Sequence, residues 1–156
     1  FTEILKGFEV SILTYDKYLN DYPNKSTMES IYKEADILSL HVPLTEETTY
    51  LVNEDFIRKF EKGIYLINTS RGKCVNTKHL VSALENRTIK GACLDVLEYE
   101  KTSFEQLSTS GFTDDMQYII ESKKTILSPH VAGWTIESNI KIAEVLLQKI
   151  IADSPQ

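Results

Sequence analysis

A doubly wound α/β fold, with a parallel sheet between helices, follows from three features of the sequence. Short runs rich in β-branched and aromatic residues recur at 10–15, 37–42, 64–67, 89–96 and 125–127. Segments with helical spacing separate them. The runs are nearly continuous in hydrophobicity rather than alternating, as expected of strands covered on both faces. Strand, helix and strand at this spacing build right-handed βαβ units.

Each element has a local reason. The run at 10–15 ends on Asp16. A helix over 27–34 can take Ser26 or Thr27 as its N-cap. The strand at 37–42 leads into His41-Val42-Pro43-Leu44-Thr45. A helix over 54–60 follows Asn53 and is stopped by Gly63. The strand at 64–67 opens into Asn68-Thr69-Ser70-Arg71-Gly72, and a helix over 78–85 follows Asn76 and Thr77. The strand at 89–96 precedes Glu98 and Glu100, and 101–113 has little periodicity and reads as an irregular loop. A helix over 114–122 places Met116, Ile119 and Ile120 on one face. After 125–127 comes Ser128-Pro129-His130-Val131-Ala132-Gly133-Trp134. A helix over 136–151 spaces Ile140, Ala143, Leu147 and Ile150 by three and four residues.

Composition narrows the functional classes. The 156 residues suit one domain with a single core. Net charge is −6 with both signs interspersed, which argues against nucleic-acid binding through concentrated positive charge. No apolar run approaches the roughly 20 residues of a membrane span. Cys74 and Cys93 lack metal-ligand spacing and read as buried thiols of a cytoplasmic protein, and no metal site is expected.

In open parallel sheets, ligands bind beyond the carboxyl ends of the strands. Arg71, Glu100 and His130 follow three successive strands and can converge at one rim. Arginine offers a planar fork for a carboxylate. Histidine exchanges a proton near neutral pH. A carboxylate beside it orients the ring and favours its charged form. The trio suits binding of a 2-oxo acid and protonation of the oxygen formed when hydride arrives. Taken singly, each has a plainer reading: a surface ion-pair partner, a turn residue and a solvated acid.

Four segments carry a family resemblance. Asn68-Thr69-Ser70-Arg71-Gly72, Leu94-Asp95-Val96-Leu97-Glu98-Tyr99-Glu100 and Ser128-Pro129-His130-Val131-Ala132-Gly133 are similar, in order and spacing, to the signatures of D-isomer-specific 2-hydroxyacid dehydrogenases. The segment from Ala35 through His41 to Thr45 resembles a fourth. The ending looks closest to phosphoglycerate-dehydrogenase-like members. The resemblance implies a Rossmann-like domain, NAD as cofactor and a small 2-oxo or 2-hydroxy acid as substrate. It assigns catalysis to Arg71, Glu100 and His130, with Glu98 as the neighbouring candidate for the partner of His130. It assigns Asp16 to the adenosine ribose, favouring NAD over NADP. Val42, Pro43 and Thr48 fall to the adenosine side, and Thr69, Ser70, Arg71, Asp95 and His130 to the nicotinamide end. His41 fits scaffolding of the cofactor pocket. A homodimer is the expectation by analogy.

The resemblance also implies a departure. The family's first strand and glycine-rich phosphate turn should lie ahead of Phe1, with 1–7 as the tail of the following helix. Residues 1–156 are thus expected to form a partial dinucleotide-binding domain, truncated at its start, with the substrate domain outside the chain. The alternatives to an oxidoreductase are a non-catalytic NAD-responsive scaffold and an inactive remnant.

Overall fold

A computed structural model describes residues 1–99 and 112–153. Glu100, and the expected loop up to residue 111, lie outside the described residues. The chain opens with a short helix, α1 (Thr2–Leu5), and a 3-10 turn at Lys6–Phe8. Then come α2 (Met28–Glu34), β1 (Ile37–Leu40), α3 (Glu54–Ile57) and β2 (Ile64–Asn68). A 3-10 turn at Gly72–Cys74 leads to α4 (Thr77–Glu85), β3 (Ile89–Leu94), α5 (Asp114–Glu121), β4 (Thr125–Leu127) and α6 (Ile136–Asp153).

Helices α2 to α5 start where short polar side chains satisfy free amides. Thr27 accepts from the Ser30 N–H at 3.2 Å. Asn53 accepts from Phe56 N–H at 3.0 Å, and Asn76 from His79 N–H at 3.1 Å. Thr113 caps α5 through the Met116 N–H at 3.3 Å. The helix expected over 54–60 is regular only to Ile57, because Lys59 and Phe60 bond three residues back, to Phe56 and Ile57. That tightens the last turn to 3-10 geometry.

The four strands pair in parallel in the order β1-β2-β3-β4, an α/β Rossmann-like arrangement. Consecutive order sends every crossover in one direction. Right-handedness then places α3, α4 and α5 on the same face. The core forms there, from Leu40, Ile64, Leu66, Ile89 and Leu94 of the strands against Ile57, Leu80, Leu84, Met116 and Ile119 of the helices.

On the opposite face the described residues give less cover than expected. Tyr65 is 51% exposed and Ile126 68%. The apolar stripe of α6 is exposed as well, at Ile140 and Leu147.

The expected strand at 10–15 is a second departure. Only Thr14 forms a bridge, to Lys25. Its N–H bonds the Asn24 carbonyl at 2.9 Å and its carbonyl accepts from Ser26 N–H at 2.8 Å. A strand needs an extended neighbour over several residues. Asn24, at φ 56°, turns the only one found among the described residues out of extended geometry. The strands expected at 37–42 and 89–96 end early, at Leu40 and Leu94, where both register with Asn68.

Candidate active site at the carboxyl rim of the sheet

All four strands run the same way, so the segments that follow them share one rim. β2 ends in Asn68, 1% exposed, whose side chain folds the next turn around itself. Its Oδ1 accepts from the Ser70 N–H at 3.1 Å and Ser70 Oγ at 2.8 Å. Its Nδ2 donates to the Arg71 carbonyl at 3.1 Å. The Ser70 hydroxyl is therefore spent inside the protein, whereas Thr69 and Arg71 are exposed. Arg71 Nη1 donates to the Ser70 carbonyl at 2.7 Å. A guanidinium carries five donors, so this bond leaves capacity for a carboxylate.

Gly72 allows the next close approach. A Cβ there would lie 1.9 Å from the Leu97 carbonyl oxygen, so only glycine lets the segment after β3 press onto the turn after β2.

Asp95, 4% exposed, ties β3 to the segment after β4. Its Oδ1 accepts from Ser128 Oγ at 2.6 Å and the Val131 N–H at 2.9 Å. Its Oδ2 accepts from the Ala132 N–H at 2.9 Å. Burial pushes the Asp95 carboxyl up. The donors from Ser128, Ala132 and Val131, with the positive charge of His130, outweigh burial and hold it below the usual carboxylate range. His130, between the clamped residues, sits at φ 56°, and its N–H bonds the Ser128 carbonyl at 3.0 Å. A non-glycine residue in that region needs surroundings that hold it, and the Asp95 clamp supplies them.

Of the sequence-expected catalytic residues, Arg71 and His130 thus stand at the same edge of the sheet, and Glu100 lies outside the described residues. Glu98, the neighbouring candidate, is committed elsewhere. It accepts from the Tyr50 hydroxyl at 2.8 Å and the Thr77 N–H at 2.8 Å, bracing three loops.

Between the turns a pocket of about 130 Å³ opens on the uncovered face. Ile67, Cys93 and Ile126 form an apolar floor, with Thr69, Asp95 and Ser128 around it. That lining suits a small ligand with an apolar face and a polar edge. Cys74 and Cys93 are free thiols, Cys74 buried and Cys93 half-buried. Among the described residues no group of three or more His, Cys, Asp or Glu is placed to hold a metal ion. Among them, too, no helix is long and apolar enough to cross a membrane.

The residues expected on the adenosine side lie on two loops, joined where Lys17 and Tyr18 meet Glu47. Asp16 Oδ1 accepts from the N–H groups of Tyr18 and Leu19, at 2.8 and 3.0 Å, in a tight turn. Val42 is half-buried against the core. Thr48 Oγ1 donates to the Pro43 carbonyl at 2.6 Å and accepts from Thr45 N–H at 2.7 Å, fixing the loop after β1. Thr48 and Pro43 thus shape the loop, and the turn contacts of Asp16 engage one of its two carboxylate oxygens. His41 Nε2 meets Ser39 Oγ at 2.9 Å, and its ring lies 4.9 Å from that of Phe1. Desolvation keeps it neutral to lower pH than a free histidine.

Sequence reasoning missed Asn68 and Ser128 as organisers. The visible signal for Asn68 was a strand-ending Asn two residues before a Ser, the pattern of an Asx turn. Ser128 carried no such signal, because its partner Asp95 is remote in sequence.

The model of the D-isomer specific 2-hydroxyacid dehydrogenase family, NAD binding domain, matches residues 1–132. A glyoxylate reductase of Thermofilum pendens is 37% identical over 155 residues, covering 95% of this chain and 42% of that protein. A D-lactate dehydrogenase of Streptococcus pyogenes is 33% identical, with 96% and 47% covered. The crystal structure of D-lactate dehydrogenase from Aquifex aeolicus, complexed with NAD and lactic acid, superposes with a TM-score of 0.77 at 33% identity, covering 94% of this chain and 46% of that one. The chain spans about half the length of the curated relatives it matches.

Proposed function

The chain belongs to the D-isomer-specific 2-hydroxyacid dehydrogenases as their NAD-binding domain, and from that premise we propose that it serves a longer enzyme interconverting small 2-oxo and 2-hydroxy acids. Residues 1–156 act as part of the dinucleotide-binding domain, with the substrate domain supplied by further chain. Arg71 binds the substrate carboxylate through its fork and polarises the adjacent carbonyl. His130 gives its proton to the carbonyl oxygen on reduction and takes one from the hydroxyl on oxidation. Glu100 holds the imidazole in orientation. NAD, when bound, supplies or accepts the hydride. Asp16, Val42, Pro43 and Thr48 receive its adenosine side. Thr69, Ser70, Arg71, Asp95 and His130 surround the nicotinamide end, where Ser70 acts through Asn68 and the backbone. The enzyme works in the cytoplasm as a homodimer, and the pairing is supported by the exposed apolar residues of α6, among them Ile140 and Leu147.

The observation that carries the reading is the shared rim. Parallel pairing brings the Arg71 turn and the Asp95-clamped His130 turn to one end of the sheet. The test is NADH oxidation by the full-length protein with glyoxylate and pyruvate. His130→Ala should slow turnover by about 10²–10⁴-fold. Arg71→Lys should raise KM sharply, because a point charge does not replace a fork. Full turnover in His130→Ala overturns the assignment, and NAD binding with no turnover of any 2-oxo acid favours the scaffold reading.

A further inference from the structure

We propose that Glu47 is a specificity-determining residue that excludes a phosphorylated adenosine ribose by sequestering Lys17. The inference rests on the reading of Asp16 as the ribose acid and adds a residue from a different loop. Lys17 directly follows Asp16 in the turn after residues 10–15. Its ammonium is the cation nearest in sequence to the acid that would meet the ribose hydroxyls. Left to solvent, it would be a ready partner for a 2′-phosphate, since phosphate binding by lysine needs only a point charge within reach.

The structure gives that ammonium to Glu47. Lys17 Nζ lies 2.7 Å from one Glu47 oxygen and 2.8 Å from the other. The Tyr18 hydroxyl donates to the same carboxylate at 3.0 Å. Glu47 thus gathers the two residues that follow Asp16. Lys17 is held more firmly protonated than a free lysine, first by its hydrogen bond to Glu47. The Glu47 carboxyl is held below its usual range, first by the bond from Lys17, then by that from Tyr18.

Charge arithmetic then decides the ligand. Asp16 and Glu47 contribute two negative charges and Lys17 one positive, leaving the cluster at −1. A ribose with free hydroxyls can donate to this cluster. A 2′-phosphate would meet two carboxylates and an ammonium already engaged by one of them. The loop that brings Glu47 is fixed by Thr48, whose hydroxyl bonds the Pro43 carbonyl at 2.6 Å. The carboxylate is therefore delivered by a folded turn.

The pair is exposed, so the effect is modest and salt-dependent. The test uses the full-length protein and the nucleotide fragments 5′-AMP and 2′,5′-ADP. Binding is read by amide chemical shifts of 14–19 at low ionic strength. The unaltered chain should favour 5′-AMP. Glu47→Gln should move the ratio about three- to fivefold toward 2′,5′-ADP, with little change for 5′-AMP. Glu47→Asp should restore the original preference in part. Adding Lys17→Met to Glu47→Gln should abolish the gain, whereas Lys17→Met alone should leave the ratio nearly unchanged. An unchanged ratio in Glu47→Gln, with the amides of 14–19 and 45–49 otherwise undisturbed, overturns the proposal. So does a Lys17→Met loss of 2′,5′-ADP as large in the unaltered chain as in Glu47→Gln, which would show Lys17 free to bind phosphate. If neither nucleotide perturbs 14–19, the placement of the adenosine ribose at Asp16 fails as well.

Discussion

The region from β2 through the turn after β3 and the region from residue 8 to residue 26 carry similar sequence signals and end differently. Both contain a β-branched run that closes on a polar residue, Asn68 in one and Asp16 in the other. β2 and β3 each have a strand on both sides, and Ile64, Leu66, Leu84 and Ile89 are fully buried around them. The run at 10–15 has a single bridge, and Val10 and Tyr15 are each 50% exposed. The acid at its end is held by its own turn, through Tyr18 and Leu19, not by the sheet. Asn68 also bonds its own turn, but it is paired in the sheet with Leu40 on one side and Leu94 on the other. Asp95 is held by Ser128, Val131 and Ala132 from a remote segment. A strand pattern thus records which chain can pair, and whether it does so depends on a neighbour the pattern does not name.

The comparison is tested most severely at Leu66, which has no exposed surface and lies at the centre of the core. Leu66→Ala should cost about 2–5 kcal/mol, from lost transfer energy plus a cavity that cannot fully collapse. Urea unfolding measures it, with the midpoint falling and the slope unchanged. A cost below about 1 kcal/mol would mean that this half of the molecule is no better packed than the other.

The sequence made the elements with local causes legible. The helix starts at Thr27, Asn53 and Asn76 could be read because a cap acts within three residues. The position of Arg71 and His130 at one rim followed from strand direction alone. The long-range features were not legible. Nothing local marks Asp95 as the clamp of 128–132, since its donors lie 33 to 37 residues away. The diversion of Glu98 to Tyr50 and Thr77 depends on how three loops meet. Exposure on the second sheet face, at Tyr65 and Ile126 among the described residues, was not legible, because continuous hydrophobicity shows that a strand can be covered twice and not by what.

Asp95 provides a test of intermediate size. Asp95→Asn leaves one acceptor oxygen where two served three donors, and turns an amide toward at least one of them. The segment 128–132 should lose about 1–3 kcal/mol of local stability. The pH dependence has a definite sign. The folded carboxyl titrates below the unfolded value of about 3.9, so its contribution is complete above that value and fades as pH falls through the lower folded one. The side-chain carboxyl carbon shift of Asp95 should keep its ionised value down to about pH 4 and move to the protonated value only below it. Movement centred above pH 4 in the unaltered chain would show that burial prevails over the hydrogen bonds, and the clamp would then be far weaker than its geometry indicates.

The smallest effect is expected at Val10, and it bears on the other half of the comparison. In a paired strand, Val→Ser loses both packing and β-preference, roughly 1 kcal/mol. Val10 is half exposed and lies outside every named strand, so Val10→Ser should change stability by no more than about 0.5 kcal/mol. Hydrogen exchange sharpens the point. The Thr14 amide, bonded to Asn24, should show modest protection, whereas the amides of Ser11, Ile12 and Leu13 should exchange far faster than those of β2. The two measurements succeed or fail together. If Val10→Ser costs more than about 1 kcal/mol and 11–13 exchange as slowly as 64–68, the run at 10–15 is a sheet strand in solution. The difference between the two regions would then lie in how often each finds its neighbour, and Asp16 would be anchored to the sheet as firmly as Asn68.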